Sequence, residues 1–335
     1  MALRVGIIGA GSIGCYVGAA LMMGGAEVSF LGRERMAAEL AEHGLRISDY
    51  RGLSHHIPAT QLRFYTDIAA MADRDCVIVT VKSGDTDTIA ADLASVLDSR
   101  ATIISLQNGV GNTALLQRAM PQNSVLPGMI AFNVLQSGQA CFHAGTDGEV
   151  IIQDAPITEE LAEFFRASGT PFAVNTDMRS VQWSKLLLNL NNPINALSGI
   201  GLKDELSQRA YRCCLAALQR EALAAIKAAN IPLQKLTAVP AEWLPTVLSL
   251  PDFIFKRLAQ PMLAIDPVAR SSMWEDLERG RKTEVEWLNG EVIRLAATHG
   301  LTAPVNEQVR ALIQLAEQGG RKDYSGDELL AIIRA

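Results

Sequence analysis

Two hydrophobic rhythms divide the chain. In the first half, short apolar runs alternate with stretches of helical period. "LRVGIIG" (3–9), "AEVSFLG" (26–32), "DCVIVTVKS" (75–83) and "ATIISLQNG" (101–109) read as strands, and residues 12–24, 34–43 and 86–98 as the helices between them. Strands apolar on both faces belong to a parallel sheet covered on each side, so the pattern predicts an α/β layer structure. "LRISDY" and "QLRFYT", within 44–66, predict a short antiparallel excursion. "GMIAFNVL", "QACFHAG" and "GEVIIQD", within 125–153, predict antiparallel strands that close the sheet. A helix at 158–168 and a strand at "FAVNT" (172–176) complete this part.

From about residue 179 the period is helical to the end. The interruption is 232–267, where Pro232, Pro240, Pro245, Pro251, Pro261 and Pro267 exclude a long helix. The expected boundary lies at 177, dividing an α/β part (1–177) from an all-α part (178–335).

Composition narrows the function classes. The chain has 335 residues, 49% of them hydrophobic and 20% charged, which suits two globular domains. A net charge of −6 without a basic run argues against nucleic acid as a partner. No apolar stretch reaches the roughly 18–20 residues that span a bilayer, so no membrane partner is expected. Cys15, Cys76, Cys141, Cys213 and Cys214 are odd in number and form no CxxC, which fits reduced thiols in a cytoplasmic protein. No metal site is expected. The expected assembly is a homodimer, although no motif specifies it.

The segment "GAGSIG" (9–14) follows the first strand and opens the first helix. This GxGxxG context predicts a Rossmann-type dinucleotide site made by Gly9, Ala10, Gly11, Ser12, Ile13 and Gly14. Gly9 permits the turn, Gly11 lets the backbone approach a pyrophosphate, and Gly14 lets the helix pack on the strand. An NAD site usually carries a carboxylate at the end of the second strand. Here the place reads Gly32-Arg33-Glu34-Arg35, and a guanidinium suits a 2′-phosphate. The expected cofactor is therefore NADP(H), with Arg33 as the main contact. Lys82 and Asn108 end the third and fourth strands of the parallel pattern, where ligands of open α/β sheets bind.

In "KLLLNLNNPINALSG" (185–199), Lys185, Asn189 and Asn192 stand at i, i+4 and i+7, one stripe of an ideal helix. Pro193 predicts a kink beside it. Asn191 and Asn195 point elsewhere and read as packing groups. A buried lysine near amides suits a general acid, because desolvation eases release of its proton. Residues 271–306 read as one long helix, or two joined near Gly280. Glu284 lies among apolar residues there, and Ser272 sits twelve residues before it.

These segments together resemble the ketopantoate reductases (2-dehydropantoate 2-reductases). The resemblance rests on GAGSIG, Arg33, "VKS" (81–83), "QNG" (107–109), "WSKLLLN" (183–189), "SSMWEDLERGRKTEVEWLNG" (271–290) and "HGLTAPVN" (299–306). It implies a Rossmann domain followed by a helical domain, and reduction of ketopantoate to pantoate by NADPH in pantothenate biosynthesis. It also implies Lys185 as general acid and Glu284 as a catalytic residue that touches substrate and cofactor. Asn108 is implied for substrate and cofactor, Lys82 for cofactor, and Asn189, Asn192 and Ser272 for substrate. The chain departs from the family pattern at Pro193, Ala269, "GIGLKDEL" (199–206) and "GMIAFN" (128–133). The alternatives are reduction of another 2-keto acid or an imine by NADPH, and a non-catalytic NADP-binding sensor.

Overall fold

The computed structural model describes residues 3–237, 239–258 and 269–334. Two compact units result, Met1–Met178 and Arg179–Ala335.

The first unit contains strands β1 (Arg4–Ile8), β2 (Glu27–Leu31), β3 (Leu45–Asp49), β4 (Ser54–Ile57), β5 (Arg63–Tyr65) and β6 (Cys76–Val79). It continues with β7 (Thr102–Ser105), β8 (Ser124–Ile130), β9 (Val134–Gln136), β10 (Cys141–Ala144), β11 (Val150–Gln153) and β12 (Phe172–Asn175). The main sheet has eight strands in the order β12-β11-β8-β7-β6-β1-β2-β5. All neighbours are parallel except β8 and β11. Val5, Ile7, Ile8, Val77, Ile78, Val79, Ile103 and Ile104 are buried on its two faces, as the continuous apolar runs require. The strand order reverses between β1 and β6, where a doubly wound sheet opens a crevice.

Helices α1 (Ser12–Met23), α2 (Glu34–His43), α3 (Thr86–Val96), α4 (Asn112–Ala119) and α5 (Pro156–Ser168) cover the sheet. A Cβ on Gly18 would come within 2.3 Å of the Phe30 ring, so this glycine lets α1 lie close on β2.

The expectation of three antiparallel closing strands needs correction. β8 runs parallel to β7, and only β11 is antiparallel to it. β9 and β10 instead join β3 and β4 in a second, four-stranded sheet ordered β4-β3-β10-β9. Positive φ at Gly138, Gln139 and Ala140 turns the chain between β9 and β10. Phe142 and Ile47, both buried, then pair in a parallel β10–β3 ladder. Residues 44–66 do form the antiparallel β3–β4 pair, but β5 adds in parallel to β2.

The second unit is helical. It holds α6 (Met178–Asn189), α7 (Asn191–Ser198), α8 (Leu202–Leu206), α9 (Arg209–Ala228), α10 (Leu244–Leu248) and α11 (Asp252–Leu258). It ends with α12 (Ser272–Glu278), α13 (Val285–Thr298), α14 (Pro304–Glu317) and α15 (Gly326–Ile332). The fully buried Arg212 of α9 organises the described part of the proline-rich stretch. Its guanidinium donates to the carbonyls of Leu206, Leu248 and Leu250, pairs with Asp252 at 2.9 Å, and stacks on Phe255. Pro261 and Pro267 lie outside the described residues. Residues 271–306 contain separate helices, with Gly280 at φ +59° in the break.

Candidate active site

The turn after β1 is shaped by backbone contacts that admit only glycine. Gly9 has φ +104°, and a Cβ there would meet the Val81 nitrogen at 2.7 Å. A Cβ on Gly14 would meet the Gly9 carbonyl oxygen at 2.2 Å and Thr80 Oγ1 at 2.6 Å. Thr80 Oγ1 donates to the Gly9 carbonyl at 2.8 Å, tying the end of β6 to this turn. Gly11 is different: a Cβ there would meet nothing within 4 Å. Its missing side chain therefore leaves an open approach to the backbone rather than relieving a clash inside the protein. Among the described residues no side chain caps α1, so its first-turn N–H groups face that opening with the positive end of the helix dipole. These are the features a dinucleotide pyrophosphate requires, and the turn fits such a cofactor.

The end of β2 explains the missing carboxylate. A Cβ at Gly32 would come within 2.8 Å of Phe64 and 2.9 Å of Ala10, so no side chain fits there. Arg33 follows as the N-cap residue of α2, its side chain 92% exposed and 3.8 Å from the Asp85 carboxylate.

Lys82 and Asn108 leave the ends of β6 and β7, exposed and half-buried respectively. Sequence reading did not identify what fixes them. Gln107 accepts from Ser105 Oγ at 3.0 Å and donates to the Val81 carbonyl and Thr86 Oγ1. Thr86 Oγ1 donates to Asn112 Oδ1 at 2.9 Å. Asn112 Nδ2 donates to Ser83 Oγ and, at 2.7 Å, to the Asn108 carbonyl, which also accepts from Ser83 Oγ. Neutral, buried groups thus join the two loops that carry Lys82 and Asn108.

In the helical unit the expected stripe is broken. α6 ends at Asn189 and α7 begins at Asn191, with Leu190 between them. Pro193 stands in the first turn of α7, where its missing N–H costs nothing. Asn192 therefore belongs to a second helix, and the i, i+7 relation to Lys185 is not one straight face. Asn189 and Asn192 are both half-buried.

Lys185 stands on α6 beside the buried Ser184 and Leu186. The residue is half-buried, and desolvation lowers its pKa from the usual 10.5 to about 8, with the Glu284 carboxylate acting in the opposite direction. Lys185 and Glu284 are thus brought within electrostatic reach of each other from helices almost a hundred residues apart. Glu284 is held as the residue preceding α13. The buried Thr283 beside it donates its N–H to Glu317 at 2.7 Å and accepts from the Val285 N–H.

Ser272 and Glu284 sit at the starts of two different helices. Ser272 is exposed at the first position of α12, after the N-cap Ser271. Ser271 Oγ bonds the Asn192 carbonyl at 3.2 Å, which brings Asn192 and Ser272 together.

Asn191 and Asn195 have structural partners, and these disclose a group that sequence reading missed. Both donate to Oε2 of the completely buried Glu205, at 3.4 and 2.9 Å. The available signal was the i, i+4 spacing of two amides on an apolar helix, which demands a buried partner. Among the described residues no group of three His, Cys, Asp or Glu side chains could hold a metal ion, and no helix is long and apolar enough to cross a membrane.

Comparison with known proteins places this arrangement. Residues 5–156 match the family described as "Ketopantoate reductase PanE/ApbA", and residues 177–317 match its "C terminal" counterpart. The 2-dehydropantoate 2-reductase of Halobacterium salinarum is 29% identical over 95% of this chain and 100% of its own. That of Archaeoglobus fulgidus is 29% identical over 94% and 98%. A PanE/ApbA family ketopantoate reductase from Ralstonia eutropha superposes with a TM-score of 0.81 at 25% identity, covering 95% of this chain and 99% of that one. With both parts matched along nearly the whole length, the chain belongs to the ketopantoate reductase family.

Proposed function

We propose that this protein reduces the 2-keto group of ketopantoate to the hydroxyl of pantoate, with NADPH as reductant, in pantothenate biosynthesis. The observation that carries the reading is the half-buried Lys185, drawn down to about 8 with Glu284 acting on it, in a chain matched to this family over both units.

Each role below belongs to the proposal. Gly9, Ala10, Gly11, Ser12, Ile13 and Gly14 hold the pyrophosphate, Arg33 holds the 2′-phosphate, and Lys82, Asn108 and Glu284 complete the cofactor contacts. NADPH, when bound, supplies the hydride. Asn108, Asn189, Asn192 and Ser272 bind and orient the polar groups of the substrate. Lys185, in its ammonium form, stabilises the charge that develops on the keto oxygen and delivers a proton to it. Glu284 favours that charged form and helps orient the substrate. A depressed pKa suits this work, since the ammonium is populated near neutrality and still a strong enough acid.

A second reading, reduction of a related 2-keto acid, is favoured by Ala269 and Pro193, which replace asparagines of the family pattern. The proposed assembly is a homodimer; a dimeric ketopantoate reductase from Staphylococcus aureus shares the fold at a TM-score of 0.71. The proposed location is the cytoplasm, supported by five unpaired cysteines.

A panel of 2-keto acids, ketopantoate included, assayed for NADPH consumption tests the reading. Ketopantoate should give the highest kcat/KM. Preference for another 2-keto acid would favour the second reading, and NADPH binding without turnover of any would overturn both.

A further inference from the structure

We propose that Glu205 is a positioning residue for the reaction: through Asn195 it fixes the junction at which Asn192, Ser271 and Ser272 meet. The proposal rests on the assignment of Asn192 and Ser272 to substrate binding made above.

The chain of contacts lies wholly within the helical unit. Glu205 is the fourth residue of the short α8 and is completely buried. Its Oε2 accepts from Asn195 Nδ2 at 2.9 Å, and the same Nδ2 donates to the Ile200 carbonyl at 3.0 Å. This locks the Asn195 amide in one orientation. Its Oδ1 then faces the Ser271 N–H, which it accepts at 2.9 Å across 76 residues of sequence. Ser271 Oγ in turn caps α12 through the Trp274 N–H and bonds the Asn192 carbonyl. A rotated Asn195 amide would present an N–H to another N–H at Ser271, so the orientation set by Glu205 decides whether the junction closes.

The chemistry of the site indicates the form in which Glu205 works. Glu205 Oε1 and Asn191 Oδ1 are both buried acceptors without a donor. A proton on Oε1 turns that oxygen into a donor and removes one unmet acceptor, whereas a carboxylate leaves both unmet. Tyr211 and Cys214 of α9 are raised by burial first, and the charge of an ionised Glu205 would add to both. Burial, opposed by the two amide hydrogen bonds, raises the Glu205 carboxyl from the usual 4.5 to about 8.

Two variants and two readouts test the proposal. Glu205→Gln keeps an acceptor for Asn195 and adds a donor, so KM for ketopantoate and exchange of the Ser271 amide proton should stay near wild type. Glu205→Leu should raise KM about tenfold and speed that exchange by a similar factor, the size of one lost buried hydrogen bond, while NADPH affinity is unchanged. Unchanged KM and exchange in a folded Glu205→Leu would overturn the proposal. If that variant does not fold, the pH dependence of Glu205→Gln decides. Wild-type KM should climb as the pH passes about 8, and the climb should be smaller in Glu205→Gln, where only Lys185 still loses its proton in that range. Identical KM profiles in the two proteins would overturn the proposal. Wild-type protein that leaves ketopantoate untouched would defeat the proposed function instead; Ser271 exchange, which needs no substrate, would still decide the role of Glu205.

Discussion

The two units solve the same problem, holding functional groups at the ends of secondary structure, with different chemistry. In the α/β unit, Ser83, Thr86, Gln107 and Asn112 join the Lys82 and Asn108 loops through neutral hydrogen bonds. In the helical unit, the corresponding places hold ionisable groups, the half-buried Lys185 and the buried Glu205, and, among the described residues, acceptors left without donors. A satisfied neutral network rigidifies a site and is indifferent to pH. A buried acid or base has a charge state that solvent can change. The contrast suggests a division of labour: the first unit presents a fixed cradle, and the second carries the groups whose protons matter.

Substitutions in each unit test this contrast. Lys185→Ala should lower kcat by about 10²–10⁴-fold, the usual contribution of a positioned general acid, while NADPH binding measured by fluorescence stays intact. Arg33→Ala should raise KM for NADPH by about 10–100-fold, the worth of charge-assisted bonds to a phosphate, with little change for NADH. An equal loss for both cofactors would remove Arg33 from the 2′-phosphate. Asn112→Ala should cost about 1–3 kcal/mol of stability in urea unfolding, because Ser83 and Thr86 lose a buried partner, and by the same amount at every pH.

The mildest test is Glu205→Gln, read as a change in pH slope. The folded Glu205 keeps its proton up to about pH 8, whereas the unfolded chain releases it near the usual 4.5. Its contribution to stability is therefore complete below about 4.5, declines as the pH rises, and is lost by about 8. Urea unfolding between pH 5 and 8 should show that decline in wild type and a flatter line in Glu205→Gln. Parallel lines would mean that Glu205 is not held as the acid.

What the sequence reveals about this molecule follows how local the physics is. GAGSIG could be read because a tight turn, a helix start and glycine sterics all act within six residues. The parallel strands could be read because burial on both faces leaves continuous valine and isoleucine. The second sheet was hidden, since the β10–β3 ladder joins His143 to Ser48 across 95 positions with no pattern linking them. The same distinction holds in the candidate site. Lys185 stood out as a cation on an apolar helix. The break at Leu190 was only half legible: Pro193 signalled a disturbance, but not that Asn192 would fall in a second helix. Glu205 looked like one more acidic residue in "LKDEL", because burial of its carboxyl depends on Asn191, Asn195 and α9 meeting there in three dimensions.

The central claim is that proton chemistry belongs to the helical unit and cofactor holding, Glu284 apart, to the α/β unit. Its most direct test is the pH profile of ketopantoate reduction from pH 6.5 to 10, with NADPH affinity measured at each point. kcat should fall as the pH passes about 8 and the Lys185 ammonium is lost, while NADPH affinity holds level. A kcat that stays flat to pH 10, or an NADPH affinity that falls in step with it, would contradict the claim.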